Sequence, residues 1–193
     1  SNVGWAHFFS KRPVVTPDDL RAQKLFTYAG DPDGEQAWKD AGFHPISLSV
    51  TDLMASLQSG MVEAFTTTPL SAASYQWFAL APNMCGMNWA PLIGGVALTQ
   101  ATWKRVPQKH RQALLASALA IGQKLQARTD NADTEAIEVM KKHGLAISTV
   151  SAEAELMWKK ETEGAFAKVM GKSFDASSYD AIQRHLKAFR QGK

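Results

Sequence analysis

His44-Pro-Ile-Ser-Leu-Ser-Val-Thr-Asp-Leu-Met-Ala-Ser-Leu-Gln-Ser-Gly-Met-Val-Glu-Ala-Phe-Thr-Thr-Thr-Pro69 reads as a strand, a capped helix, a glycine stop and a second strand. Thr51 is the expected N-cap and Asp52 the first-turn acid. Leu53, Met54 and Leu57 make one apolar side, and Gly60 supplies the left-handed residue that ends the helix. Such a unit returns the chain to a sheet in the same direction, and the carboxyl ends of its strands face whatever the protein binds.

Outward from this stretch the N-terminal half keeps alternating short strand and helix patterns, which predicts an α/β class with a parallel or mixed sheet. Val3–Phe9 is an expected strand. Pro17-Asp18-Asp19-Leu20 is a helical turn with proline and acids in front, and Lys24–Tyr28 is an apolar β-rich run. Gly30-Asp31-Pro32-Asp33-Gly34 reads as a turn, residues 35–41 as a helix bearing Trp38 that ends near Gly42, and Pro45–Leu48 as the next strand. Leu92–Thr99 reads as an apolar strand whose Gly94-Gly95 marks a bend or a close backbone approach.

The C-terminal half turns helical. A long helix is expected from Pro107 toward His143-Gly144, with Leu114, Leu115, Ala118, Ile121, Gly122 and Leu125 in helical spacing and Ala132, Ala136 and Val139 likewise. Leu145–Val150 then reads as a short strand, Ser151 as the N-cap of another helix, and Ser178–Phe189 as a last helix. Tyr75-Gln76-Trp77-Phe78 is the most aromatic run, and its spacing favours core packing over a cofactor site.

The 193 residues are 45% hydrophobic and 20% charged, the makeup of a folded globular chain with one core or two small lobes. A net charge of +3, without a run of like charge or a basic stripe with interleaved aromatics, gives no support to nucleic-acid binding. No apolar run approaches the length needed to span a bilayer. Ser1-Asn2 resembles a cloning remnant, so a signal peptide in the precursor is expected to have preceded this sequence. The single Cys85 leaves no intrachain disulfide and no cysteine-built zinc site. Histidines 7, 44, 110, 143 and 185 show no metal-ligand spacing, Gly30–Gly34 lacks the length and terminal glutamate of a calcium loop, and Gly94-Gly95 is not a phosphate loop. No motif calls for a cofactor, and no nucleophile elbow is present.

Leu57-Gln58-Ser59-Gly60-Met61-Val62-Glu63-Ala64 resembles the A-L-Q-x-G-x-V-D-G signature of periplasmic solute-binding proteins of TRAP (tripartite, ATP-independent) transporters, dicarboxylate-type. Phe9–Val14 followed by Thr16–Leu20 is similar to the family's S-K-x-P-V-x-T-P-x-D-L-K-G, Ala41–Pro45 to A-L-G-A-x-P, and Trp103–Pro107 with Arg111 and Leu115 to W-x-x-L-P-x-x-x-R-x-x-L. The resemblance implies a periplasmic-binding-protein-like fold of type II, with two α/β lobes, crossing strands and ligand held in the cleft. Matched to that pattern, the chain lacks the family's first third, through truncation or proteolysis. Residues 10–92 are then a near-complete ligand-binding lobe, and 1–9 and 93–193 supply crossing strands, long helices and the remainder of the second lobe.

The resemblance breaks at the anion clamp. Where the family places an arginine in K-x-R-V, this chain has Lys24-Leu25-Phe26-Thr27. A second arginine expected soon after Gly4 is replaced within Trp5-Ala6-His7, and the asparagine region before the family's proline reads Phe65-Thr66-Thr67-Thr68-Pro69. Loss of planar guanidinium donors implies a ligand that is aromatic or neutral, not a simple dicarboxylate. Expected contacts are Phe26, Tyr28, Phe65, Thr67, Asn88 and Trp89, with Asp31 facing the cleft. Phe26 and Phe65 also fit an ordinary core role on buried strands, whereas Trp89 sits in a loop-like context.

The implied function is an extracytoplasmic, periplasmic receptor that closes on a small molecule and delivers it to TRAP membrane permease subunits, with no bond made or broken. Two alternatives stand beside it: an α/β enzyme using cleft carboxylates and histidines, and a helical interaction module. Apolar surface left bare in a shortened chain further predicts self-association.

Overall fold

A computed structural model describes residues 2–169 and 175–192. Its contacts divide the chain into two compact units, one of Ser1–Pro13 with Thr66–Thr149 and the other of Val14–Phe65 with Val150–Lys193.

In the unit that starts at Val14, the chain builds two consecutive βαβ steps. Helix α1 (Pro17–Arg21) opens with a full capping box: Thr16 Oγ1 accepts from the Asp19 N–H, and Asp19 Oδ2 accepts from the Thr16 N–H at 2.7 Å. Strand β2 (Lys24–Tyr28) leads to α2 (Pro32–Asp40), then β3 (His44–Leu48), a 3-10 turn (Val50–Asp52), α3 (Leu53–Ser59) and β4 (Ala64–Thr67), which begins in this unit. β2 lies between β3 and β4 and runs parallel to both, in register Phe26↔Ile46 and Leu25↔Ala64. Right-handed crossover geometry requires each intervening helix to lie over the sheet, so the hydrophobic runs are buried. Leu20, Leu25, Phe26, Phe43, Leu53, Leu57, Val62 and Phe65 are all core.

Chain from far along the sequence completes this core. Trp158 on α7 (Ala152–Val169) is 2% exposed, donates its indole N–H to Val15 O at 2.8 Å and stacks on Phe43, whose other neighbours are Trp38 and the Arg21 guanidinium. Arg21 also bonds Asp18, Glu161 and the Ala41 carbonyl, so the stack is pinned on its polar edge. The last helix, α8 (Ala176–Gln191), is capped by Asp175.

The other unit has a mixed sheet. β1 (Asn2–Ser10) pairs antiparallel with β5 (Asn83–Cys85) and with β6 (Ala90–Ile93), and β5 pairs parallel with β7 (Ala146–Ser148). α4 (Pro69–Ser74), α5 (Gln100–Arg105) and the long α6 (Gln108–Lys142) complete it. The second half of α6 packs on α4 and β1, with Ala136 and Met140 buried.

Several expectations are corrected. Thr51 does not cap α3: it lies inside the 3-10 turn, whose N-cap Ser49 accepts the Thr51 N–H on its Oγ, and α3 starts after Asp52, which makes no side-chain cap bond. Gly30–Gly34 is not a free turn, because Asp31 caps a helix that starts at Pro32. The strand read over Leu92–Thr99 stops at Ile93, where the β1 ladder ends at Asn2↔Ile93. Residues 94–99 then run outside any strand. The close approach expected at the glycine pair does occur, since a Cβ on Gly94 would stand 3.0 Å from Val3 Cγ2. β5 was not legible, being only three residues long. Gly60 at φ 73° ends α3 as read.

Candidate functional site

The expected contact residues fall into two groups, which are described within their own units. In the first, β2 presents Phe26 and Tyr28 on one face, rings edge to face at 5.0 Å and 75°. Phe26 is buried, whereas Tyr28 ends the strand 51% exposed, and its packed half raises the phenol pKa above its ordinary value. The chain turns at once: the Asp31 N–H donates to Tyr28 O at 3.3 Å, and Asp31 Oδ1 accepts from the Gly34 N–H at 3.0 Å. The exposed Asp31 carboxylate is thus held at the start of α2 beside the carboxyl end of β2. Phe65, on β4, is wholly buried.

Thr27 was not among the expected contacts. Its in-register neighbour Ser47 reaches Glu35 on α2, so Thr27 lies on the α2 side of the sheet, opposite Tyr28. Its hydroxyl is buried and makes no hydrogen bond, an uncommon and costly state. No sequence signal marks it, because a threonine inside a β-rich run normally finds a partner.

In the second unit Thr67 ends β4 buried, Asn88 is exposed, and Trp89 is half-buried. Trp89 donates its backbone N–H to Ala6 O at 2.9 Å, and its ring lies 4.8 Å from Phe8. The loop holding Asn88 is therefore tied to β1. The neighbouring His7 is buried. Its Nδ1 lies 3.0 Å from Cys85 O, and a carbonyl can only accept, so Nδ1 carries the proton. Burial lowers its pKa, outweighing the Cys85 and Met87 carbonyls and the Asp133 charge, which pull the other way. Asp133, on α6, accepts from the Leu70 N–H and occupies the space that a Cβ on Gly4 would need. An acid in line with Ala136 and Met140 on a helix is the signal that could have singled Asp133 out.

Tyr28, Asp31, Asn88 and the open edge of Trp89 are the candidates within reach of solvent, while Phe26, Phe65 and Thr67 are covered. Among the described residues no cluster of histidine, cysteine, aspartate or glutamate could hold a metal ion, and no helix is long and apolar enough to cross a membrane.

The profile of bacterial extracellular solute-binding proteins, family 7, the DctP family, matches residues 1–173. The chain belongs to this family. A solute-binding protein of Sulfitobacter sp. strain NAS-14.1 is 22% identical over 88% of this chain and 52% of its own length. Among solved structures, a TRAP periplasmic solute-binding protein from Pseudomonas putida F1 with bound D-glucuronate is similar at TM-score 0.81 and 18% identity, over 96% of this chain and 57% of that one. One from Desulfovibrio salexigens with bound orotic acid is similar at TM-score 0.79 and 17% identity, over 98% and 61% respectively. The fold is therefore that of the TRAP periplasmic solute-binding proteins, α/β as expected, and the chain spans between half and two thirds of the length of these relatives.

Proposed function

We propose that this chain forms part of an extracytoplasmic, periplasmic receptor that binds a small organic molecule in the cleft of the two-lobe fold and hands it to a TRAP-type permease, without making or breaking a bond. The observation that carries the reading is the position of half-exposed Tyr28 at the carboxyl end of β2, the central strand of a parallel β3-β2-β4 set, in a family 7 chain. Ligands of open α/β sheets lie beyond the carboxyl ends of the strands. Within this reading Tyr28, Asp31, Asn88 and Trp89 contact the ligand, while Phe26, Phe65 and Thr67 shape the walls behind them. All lie in the segment 10–92 that the resemblance reads as one lobe, although the chain's contacts divide it, with Phe26, Tyr28, Asp31 and Phe65 in one unit and Thr67, Asn88 and Trp89 in the other.

The preferred ligand is aromatic or neutral where it meets Tyr28. Phe26 stands where the resemblance places a carboxylate-binding arginine, and buried behind the half-exposed Tyr28 ring it leaves an aromatic surface there in place of a guanidinium. The relatives' bound orotic acid, L-malate and D-glucuronate show how widely ligands vary across this fold.

A thermal-shift screen of the chain against succinate, L-malate, orotate and neutral aromatic metabolites tests this. A ligand at 100 times its Kd adds about 2.7 kcal/mol. Stabilisation is expected from an aromatic or neutral compound and is expected to vanish in Tyr28→Ala. Strongest stabilisation by succinate or L-malate would reject the ligand class, and conversion of any compound to product would reject the receptor.

A further inference from the structure

His7 is the one ionisable side chain on β1, and it is buried. A histidine inside an apolar strand usually finds a backbone partner and does no more. Here the backbone that it reaches belongs to the connection from β5 to β6, residues 86–89, which carries Asn88 and Trp89. Its Nδ1 donates to Cys85 O at 3.0 Å, where the loop begins, and the Met87 carbonyl inside the loop also acts on the ring. Two further bonds fix the loop's ends. The Gly86 N–H donates to Ser148 O of β7 at 2.9 Å, and the Trp89 N–H donates to Ala6 O, beside His7, at 2.9 Å. A Cβ on Gly86 would stand 2.8 Å from Ser148 O, so the loop lies directly against β7.

We propose that His7 is a positioning residue of the ligand site: its neutral imidazole holds the 86–89 loop on β1, setting Asn88 and the open edge of Trp89 for ligand, and gaining a proton releases the loop. This role rests on the reading of Asn88 and Trp89 as ligand contacts.

The groups around the ring give the direction. β5 brings the Cys85 carbonyl, its only ionisable side chain being the buried thiol of the same residue, and α6 brings the Asp133 carboxylate. β6, β7 and α4 carry no ionisable side chain. Asp133 and the two carbonyls favour the imidazolium, but loss of water around the ring outweighs them and holds the pKa below its ordinary value. With the loop open and the ring in water, His7 takes up a proton near about pH 6.5. Opening therefore becomes easier below that pH, by about tenfold per pH unit, until the closed form titrates too.

Hydrogen exchange of the chain between about pH 5 and 7.5, expressed as protection factors, reads this at the Gly86 and Trp89 amides. Their protection should be level above about pH 6.5 and fall about tenfold per pH unit below it. The Ala146 amide, bonded to Pro82 O in the same unit, is the control and should hold. His7→Asn keeps a donor for Cys85 O and cannot titrate, so its loop should stay protected at the acid end, and the wild-type profile stands whether or not the variant folds. Orotate and uracil keep one charge state over this range. Any thermal shift that either produces should shrink on acidification in the wild type and hold in His7→Asn. Loop protection indifferent to pH overturns the proposal. So does a fall shared by Ala146, since His7 would then support the whole unit, or one retained in His7→Asn, since the proton would then act elsewhere. The exchange readout needs no ligand, so failure of every compound to shift the chain would count against the receptor and not against the hold on the loop.

Discussion

The segment Val14–Phe65 covers its large apolar side chains except Tyr28, Val50 and Met61, with Leu156, Met157, Ile182 and Phe189 exposed on the later helices of its unit, whereas the unit holding α6 leaves Ile93, Val96, Leu114, Leu119 and Ile121 in solvent along one stretch. The contrast follows from element length. Between Val14 and Phe65 each strand and helix is under ten residues, and each βαβ step folds its helix back onto the strands beside it, so burial there is largely local and is finished by Trp158 of α7. α6 has 35 residues, and the short α4 and β1 can cover only part of its stripe. Side chains buried in a small core have stability to lose by truncation, and those on an exposed helix face have little.

Four substitutions probe that contrast, in decreasing order of effect. Trp158→Ala should cost about 3–5 kcal/mol in denaturant unfolding, with protection from hydrogen exchange lost first in β2 and β3. A loss below 1 kcal/mol would mean that the closed unit does not depend on its remote cover. Gly4→Ala tests the covered end of α6. At φ +123°, with Asp133 and Thr68 in the way, an added methyl should cost about 1–3 kcal/mol and loosen the Asp133 bond to Leu70, visible as faster exchange of that amide. Thr16→Ala removes one half of the capping box and should cost about 1 kcal/mol, which scanning calorimetry can resolve. Leu119→Ser, on the open face, should change stability by less than about 0.5 kcal/mol. A larger loss would show that Leu119 is covered in solution and that the two units differ less than their exposure indicates.

The same contrast governs how much could be read in advance. β2, α1, α3 and the glycine stop at Gly60 were legible, because caps, proline and alternating apolar residues act over a few positions. The long helix was legible from its period too, but its uncovered half was not, since periodicity reports which face is apolar and not what meets it. β5 and the end of β6 depend on ladder partners distant in sequence. The exposure of the candidate residues was not legible: Tyr28 and Asp31 at element ends and Asn88 in the loop before β6 are in solvent, while Phe26 and Phe65 lie in the core. Thr27 and Asp133 were missed because hydrogen bonding and steric fit are set by neighbours that a linear pattern does not name.

The open stripe on α6 also has a thermal signature. Hydrophobic contacts weaken on cooling, and their burial lowers the heat capacity. Whatever closes over Leu114, Ile121 and Leu125 should therefore hold better on the warm bench than on ice, and a sample that gains mass on gentle warming would report that this face is being covered.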